Sequence, residues 1–318
     1  MTIVATSAEG TRRDARNGLA LGALGVIMFA LTLPMTRLAV GTSQLPQMSG
    51  VFIATGRAVI AALFSVAFLL VARAPWPRRT DWRALGAVAL GVVFGFPLCT
   101  SIAMRYVEAV HASVIVGVLP LATALVGAWL HRQRPSLGFW LCAGLGTALV
   151  VSFALLRSGQ AGLTLAPADA LLLLAMAFAA MGYGVGAKLS QRMRPDHVIC
   201  WALLISLPLN LPIALATWPY HAIKIEAWLG FAYVGVFSMW LGFFAWYRGL
   251  ALGGTVRVSQ VQLIQPFLGM LFAVPLLGEQ LDLLTVGFGL AVIAVVFVGR
   301  KMPVTSSPPP RHTESREP

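Results

Sequence analysis

Charge is what this chain has least of. Only 11% of its 318 residues are Asp, Glu, Lys or Arg, against 58% hydrophobic ones, where a soluble domain carries roughly a quarter charged side chains. A surface that faces water throughout is therefore excluded. Cysteine is scarce too: Cys99, Cys142 and Cys200 sit inside apolar stretches with no CxxC or CxxH spacing, which excludes a disulfide framework and a zinc site. No HExxH, GxSxG or DDxxD occurs, so intramembrane metal, nucleophile or diphosphate chemistry has no residues to carry it. None of the eleven acidic residues lies in the middle of an apolar stretch. Glu108, Asp169, Glu226, Glu279 and Asp282 fall at the ends, and Glu9, Asp14, Asp81, Asp196, Glu314 and Glu317 in tails or loops. A buried carboxylate relay for protons is thus missing from the pattern.

What remains is apolar and divides at residues 18–40, 49–72, 82–104, 109–130, 136–156, 167–188, 197–217, 226–249, 255–277 and 282–299. Each is close to the 20 or so residues a spanning helix needs. The fold class is all-α integral membrane with ten transmembrane helices, and no length is left for a soluble domain. Arg12, Arg13 and Arg16 precede a long apolar run with no small-residue cleavage site, which reads as a first span and not a signal peptide. Residues 1–17 and 300–318 are tails, the latter polar, proline-rich and expected to be disordered. The net charge of +12 would suggest nucleic acid in a soluble protein, but 18 of the 23 Lys and Arg fall in every second connection. That bias places both termini in the cytoplasm and leaves Arg37, Arg57, Arg105, Arg157 and Lys224 outside.

An internal repeat has a period near 146 residues: Pro120 falls on Pro266, Ser113 on Ser259, and AWLHRQRPS on VPLLGEQLD. TRLAV around Arg37 likewise matches AKLSQ around Lys188. The repeat divides the chain into two five-span halves, 18–156 and 167–299. An odd number of spans per half turns the second upside down, the plan on which many secondary transporters build a midplane site.

The layout resembles the EamA-type branch of the drug/metabolite transporter superfamily. The resemblance is most specific in FFAWYRGLALGGTVRVSQVQLIQPFLGMLFAVPLLGEQLD, which closes on Gly278-Glu279, and weaker in MRYVEAVHASVIVGVLPLATALVGAWLHRQRPS, where Arg132-Gln133 replaces Gly-Glu. It implies a carrier of small metabolites in the bacterial inner membrane, similar to the aromatic amino acid exporter group. Amino acids (aromatic or neutral) or amines are expected to move outward by alternating access. A carrier of nucleosides, sugars or nucleotide sugars is the alternative. The expected partners are a small-molecule substrate and the lipid bilayer, with no nucleic acid, no cofactor, no metal and a monomeric chain; an enzyme is not expected.

Pro34, Pro120, Pro208 and Pro266 lie near helix middles, where each removes a backbone donor and frees a carbonyl, so gating or hinge roles are expected beside the plain abundance of proline in membrane helices. Phe237, Trp240, Phe244 and Tyr247 are spaced by three, four and three, one helical stripe. The last three are expected at a substrate, with Phe237 packing on lipid or a neighbour. Ser259, Gln262 and Pro266 share a face flanked by Gln260 and Gln265, and polar groups there need another helix or a wet cavity. Ser113 is the repeat mate of Ser259, and Thr32, Thr100, Phe96 and Tyr183 complete the expected substrate-binding set. His111 is expected at the interface. Arg37 and Arg57 near outer helix ends are expected to snorkel or to attract a substrate carboxylate.

Overall fold

The computed structural model describes residues 2–130, 133–157, 166–253, 258, 260–302 and 304–306. Ten apolar helical segments succeed one another: α1 (Arg16–Val40), α2 (Gly50–Val71), α3 (Arg79–Ala103), α4 (Ala109–Thr123), α5 (Leu137–Phe153), α6 (Pro167–Leu189), α7 (Pro195–Ala216), α8 (Ile225–Gly249), α9 (Val261–Leu277) and α10 (Leu283–Gly299). Six, α1 to α3 and α6 to α8, are long and apolar enough to cross a membrane by length and composition; the others are shorter.

Local chemistry sets the boundaries. The Ser49 hydroxyl accepts the Phe52 N–H at 3.0 Å ahead of α2, and the Asp282 carboxylate accepts the Thr285 N–H at 2.7 Å ahead of α10, each satisfying an orphan donor of the first turn. Pro167 and Pro195 open α6 and α7, where their fixed φ and missing N–H cost nothing. Gly278, at φ 69, ends α9 in the left-handed conformation that a side chain would resist.

Two expectations for the tails change. The helix that becomes α1 starts at Thr2, so the segment before residue 18 is helical and continuous with the span. Strand β1 (Gln133–Pro135) pairs antiparallel with β2 (Val304–Ser306), a short ribbon on an otherwise helical fold, so residues 304–306 are not a free tail. The disordered tail expected beyond them, residues 307–318, lies outside the described residues.

Several helices are interrupted in mid-course. A turn at Leu31 divides α1 just before Pro34. A π-helical stretch occupies Ala89–Gly95 in α3 and another Val234–Leu241 in α8. A turn at Gly117 and Val118 precedes Pro120 in α4, and a 3-10 stretch, Gln260–Ile264, precedes Pro266 in α9. The prolines explain three of these interruptions, because each lacks the N–H that would continue the ladder.

Packing shows an internal order. α1 lies on α8 as α3 lies on α6, and α1 touches α9 as α6 touches α4, while α2–α7, α4–α9 and α5–α10 are neighbours. Adding or subtracting five maps this set onto itself. Burial alternates identically along Leu21–Ala30 and Leu171–Ala180. Both mirrored crossings are glycine on glycine: a Cβ on Gly249 would lie 2.8 Å from Gly22 N, and one on Gly91 2.8 Å from Gly182 Cα. Backbones in lipid gain contact by such close approach.

Candidate functional site

The interruptions converge. A central cavity of about 20 Å³ is walled by residues of α1, α2, α3, α4, α6, α8 and α9, among them Thr32, Arg57, Phe96, Tyr183, Ser238 and Gln265. That is room for about one water. Arg57 is 2% exposed and donates from Nη2 to Ser238 Oγ at 3.1 Å, while Ser238 Oγ and Thr32 Oγ1 share a hydrogen bond of 2.7 Å. The Arg57 Nε and Nη1 groups find no partner among the described residues, and no carboxylate there pairs with it. A guanidinium so placed is costly, since no opposite charge among the described residues offsets the hydration it gives up.

Next to it, a gap of about 10 Å³ separates the breaks of α4 and α9, lined by Val116, Leu119, Pro120, Gln262, Gln265 and Pro266. Gln262 Nε2 and Gln265 Oε1 are buried with no partner among the described residues. Pro120 has no N–H to give the carbonyl of Val116, four residues back, and Val116 lines both this gap and the cavity.

Two larger openings lie at opposite ends. One, of about 600 Å³, is lined by charged residues of both signs, including Arg37, Glu108, Lys224, Glu226, Glu279 and Asp282. Here the two oxygens of Glu279 accept the N–H groups of Ala109 and Val110 at 2.8 Å each, capping the positive end of α4. Burial raises the Glu279 carboxyl above the usual carboxylate range, the two N–H groups oppose the rise, and Glu108 adds to it while Arg37 opposes it. The next residue, His111, is buried and holds Asp169 of α6 through Nε2 and Oδ1 at 2.7 Å. One turn of α4 is thus tied by two carboxylates from the second half of the chain. The other opening, of about 540 Å³, lies among Met28, Phe68, Arg194, Asp196, Phe244 and Arg248, with Arg194 and Asp196 paired at 2.8 Å.

Of the residues expected from sequence, Thr32, Phe96 and Tyr183 meet in the central cavity, and Gln262, Pro120 and Pro266 at the gap beside it. Pro34 stands at the α1 break, two residues from Thr32. Others are placed elsewhere. Thr100 gives its hydroxyl to the Phe96 carbonyl at 2.7 Å. Ser113 gives its own to Ala109 at 2.7 Å and packs against Gly269. Pro208 is exposed on the outer face of α7. Ser259 lies outside the described residues.

The π-helical stretch of α8 has a wider turn than the stripe's 3.6-residue period, and within the stripe Trp240 and Phe244 stay in ring contact at 4.9 Å. Phe237 stacks on Tyr233 at 5.2 Å, Trp240 on Phe64 at 5.3 Å, and Phe244 lines the Arg248 opening. Tyr247 is buried against Gly186. Phe243, off the stripe, is the α8 ring at the cavity. Arg57 is no snorkelling residue, whereas Arg37, in the last turn of α1, lines the Glu279 opening and reaches the Met104 carbonyl. His111 is no interfacial residue. Sequence reasoning missed Ser238 and the Asp169 pair, and named Gln265 only as flanking the expected face of α9. Arg57 carried a readable signal: it lies seven residues into α2, about 10 Å from its start, too deep for an end.

Comparisons with known proteins agree with this architecture. The EamA-like transporter family matches the chain twice, over residues 16–155 and 166–300. The uncharacterized transporter YdeK of Bacillus subtilis is 42% identical over 90% of this chain and 97% of its own. An uncharacterized transporter of Archaeoglobus fulgidus is 26% identical over 80% of this chain and 90% of its own. A solved crystal structure, 18% identical, superposes with a TM-score of 0.59 over 88% of this chain and 95% of that one, a likeness of fold.

Proposed function

The chain belongs to the EamA-like transporter family and is a multi-pass membrane transporter, not an enzyme, and from that premise we propose that it carries small metabolites by alternating access around the central cavity. In this reading all ten segments span a bacterial inner membrane in two inverted halves, both termini are cytoplasmic, and the Glu279 opening faces outward. The double family match and the packing order that repeats after five helices support two related halves. The cation bias supports the orientation. The substrates are amino acids or amines, moved outward.

The observation that carries this reading is the meeting of three proline-interrupted helices, α1, α4 and α9, on a polar cavity between two openings. Discontinuous helices at mid-depth expose backbone groups where a substrate can use them. The cavity holds about 20 Å³ here, so this conformation is closed at its centre, and binding must accompany a rearrangement of the halves. A single buried cation suits a small substrate better than a polyanion such as a nucleotide sugar. Protein reconstituted in vesicles should exchange preloaded labelled amino acids faster than protein-free vesicles. Equal retention across amino acids, amines and nucleosides would sink the proposal.

A further inference from the structure

We propose that Arg57 is the carboxylate anchor of the central cavity, which narrows the two substrate classes above to compounds with one carboxylate, amino acids among them, and leaves out the amines that lack it. This rests on the reading of that cavity as the transport site. The guanidinium lies in α2 at 2% exposure, and Ser238 takes only one of its nitrogens. Nε and Nη1 stay open among the described residues. A planar fork of this kind matches the two oxygens of a carboxylate, and such bonds are stronger than neutral ones.

The rest of the wall fits a zwitterion. No acidic side chain lines the cavity among the described residues, so a bare amine would meet Arg57 with nothing to offset the repulsion. An ammonium beside an anchored carboxylate has instead the Val116 carbonyl freed by Pro120 and the oxygen of Gln265, which lacks a partner among the described residues. Phe96, Phe243 and Tyr183 offer rings to an apolar or aromatic side chain. α7, which occupies in the second half the place of α2 in the first, carries no Lys or Arg within Pro195–Ala216. One cation therefore serves one carboxylate.

The test is thermal stabilisation of the purified full chain by L-phenylalanine, its methyl ester, phenethylamine and sodium chloride, with vesicle flux of the same labelled organic compounds. Binding raises apparent stability by mass action. L-phenylalanine should raise the melting midpoint while the ester, the amine and chloride leave it unmoved. Arg57→Lys should weaken the response tenfold or more, and Arg57→Gln should abolish it. Ser238→Ala, which leaves the charge in place, should weaken it severalfold, and it serves if the Arg57 variants do not fold. An amine or ester that binds as well as the acid, or acid binding unchanged in Arg57→Gln, overturns the anchor. Flux of a compound without a carboxylate, untouched by Arg57→Gln, overturns the anchor and leaves the carrier standing. Arg57-dependent binding with no flux does the reverse.

Discussion

The centre of the molecule and its Glu279 end handle charge in opposite ways. At the end, cations and carboxylates line an opening of about 600 Å³ together, and Glu279 caps two backbone N–H groups. At the centre, one guanidinium borders an empty space of about 20 Å³, with hydroxyls, an amide and aromatic rings around it. Charges of both signs near water cost little and hold little. A lone buried charge is expensive, and the expense falls only when an anion arrives. On the function proposed above, selection of the substrate belongs to the centre and control of the path to the rim, where the first turn of α4 is bound to the second half through Glu279 and Asp169.

If that division of labour holds, the centre should suffer most from loss of charge. Arg57→Gln is expected to lower exchange of a carboxylate substrate on the order of 100-fold, the worth of a charged hydrogen bond of about 2.7 kcal/mol, with the protein still monodisperse. A loss confined to the maximal rate, with affinity intact, would move Arg57 from selection to gating and break the comparison. Asp169→Asn comes next and should act on stability. The buried His111 keeps a neutral acceptor but loses the carboxylate, for a cost of about 2 kcal/mol, visible as an earlier thermal-inactivation midpoint in detergent. Glu279→Gln should cost about 1 kcal/mol, because an amide oxygen can take one N–H where the carboxylate took two. It should change the exchange rate severalfold and leave substrate affinity alone.

The same contrast explains what could be read from residues alone. Apolar lengths and the sequence repeat that pairs Pro120 with Pro266 are local or repeated signals, and the helical segments and the breaks before both prolines fall where they point. The hydroxyls misled, because Thr100 and Ser113 satisfy themselves on carbonyls of their own helices. The α8 aromatics misled because a 3.6-residue period does not hold through a π-helical turn. The rim was illegible for a different reason: Glu279 meets α4 across 170 residues of sequence and Asp169 meets His111 across 58. Arg57 was misjudged as a helix-end cation although its position in α2 already placed it deep.

Two smaller effects sharpen the boundary between the regions. The Glu279 carboxyl is raised by burial where it docks on α4, whereas in a state where it leaves α4 for water it returns toward the ordinary range near 4.3. The docked state therefore binds the proton more readily. Its relative stability is fully present below the ordinary value and is lost as pH rises through the raised one. Labelling of a cysteine placed at Gln280, beside Glu279 in the same opening, should accordingly quicken as pH climbs just above the carboxylate range, and the slope should vanish in Glu279→Gln. A slope of opposite sign would mean that the two N–H bonds outweigh burial.

Smallest of all should be Thr100→Val. Its hydroxyl is spent on the carbonyls of Phe96 and Pro97 and valine has nearly its shape, so removal leaves no new unsatisfied donor. Exchange should stay within twofold of wild type and stability within about 0.5 kcal/mol. Thr32→Val differs from it by a single circumstance, that the Thr32 hydroxyl bonds Ser238 and through it Arg57. The pair of variants thus isolates what membership of the central network is worth. Equal losses from both would show that hydroxyl count, not placement beside the guanidinium, governs transport.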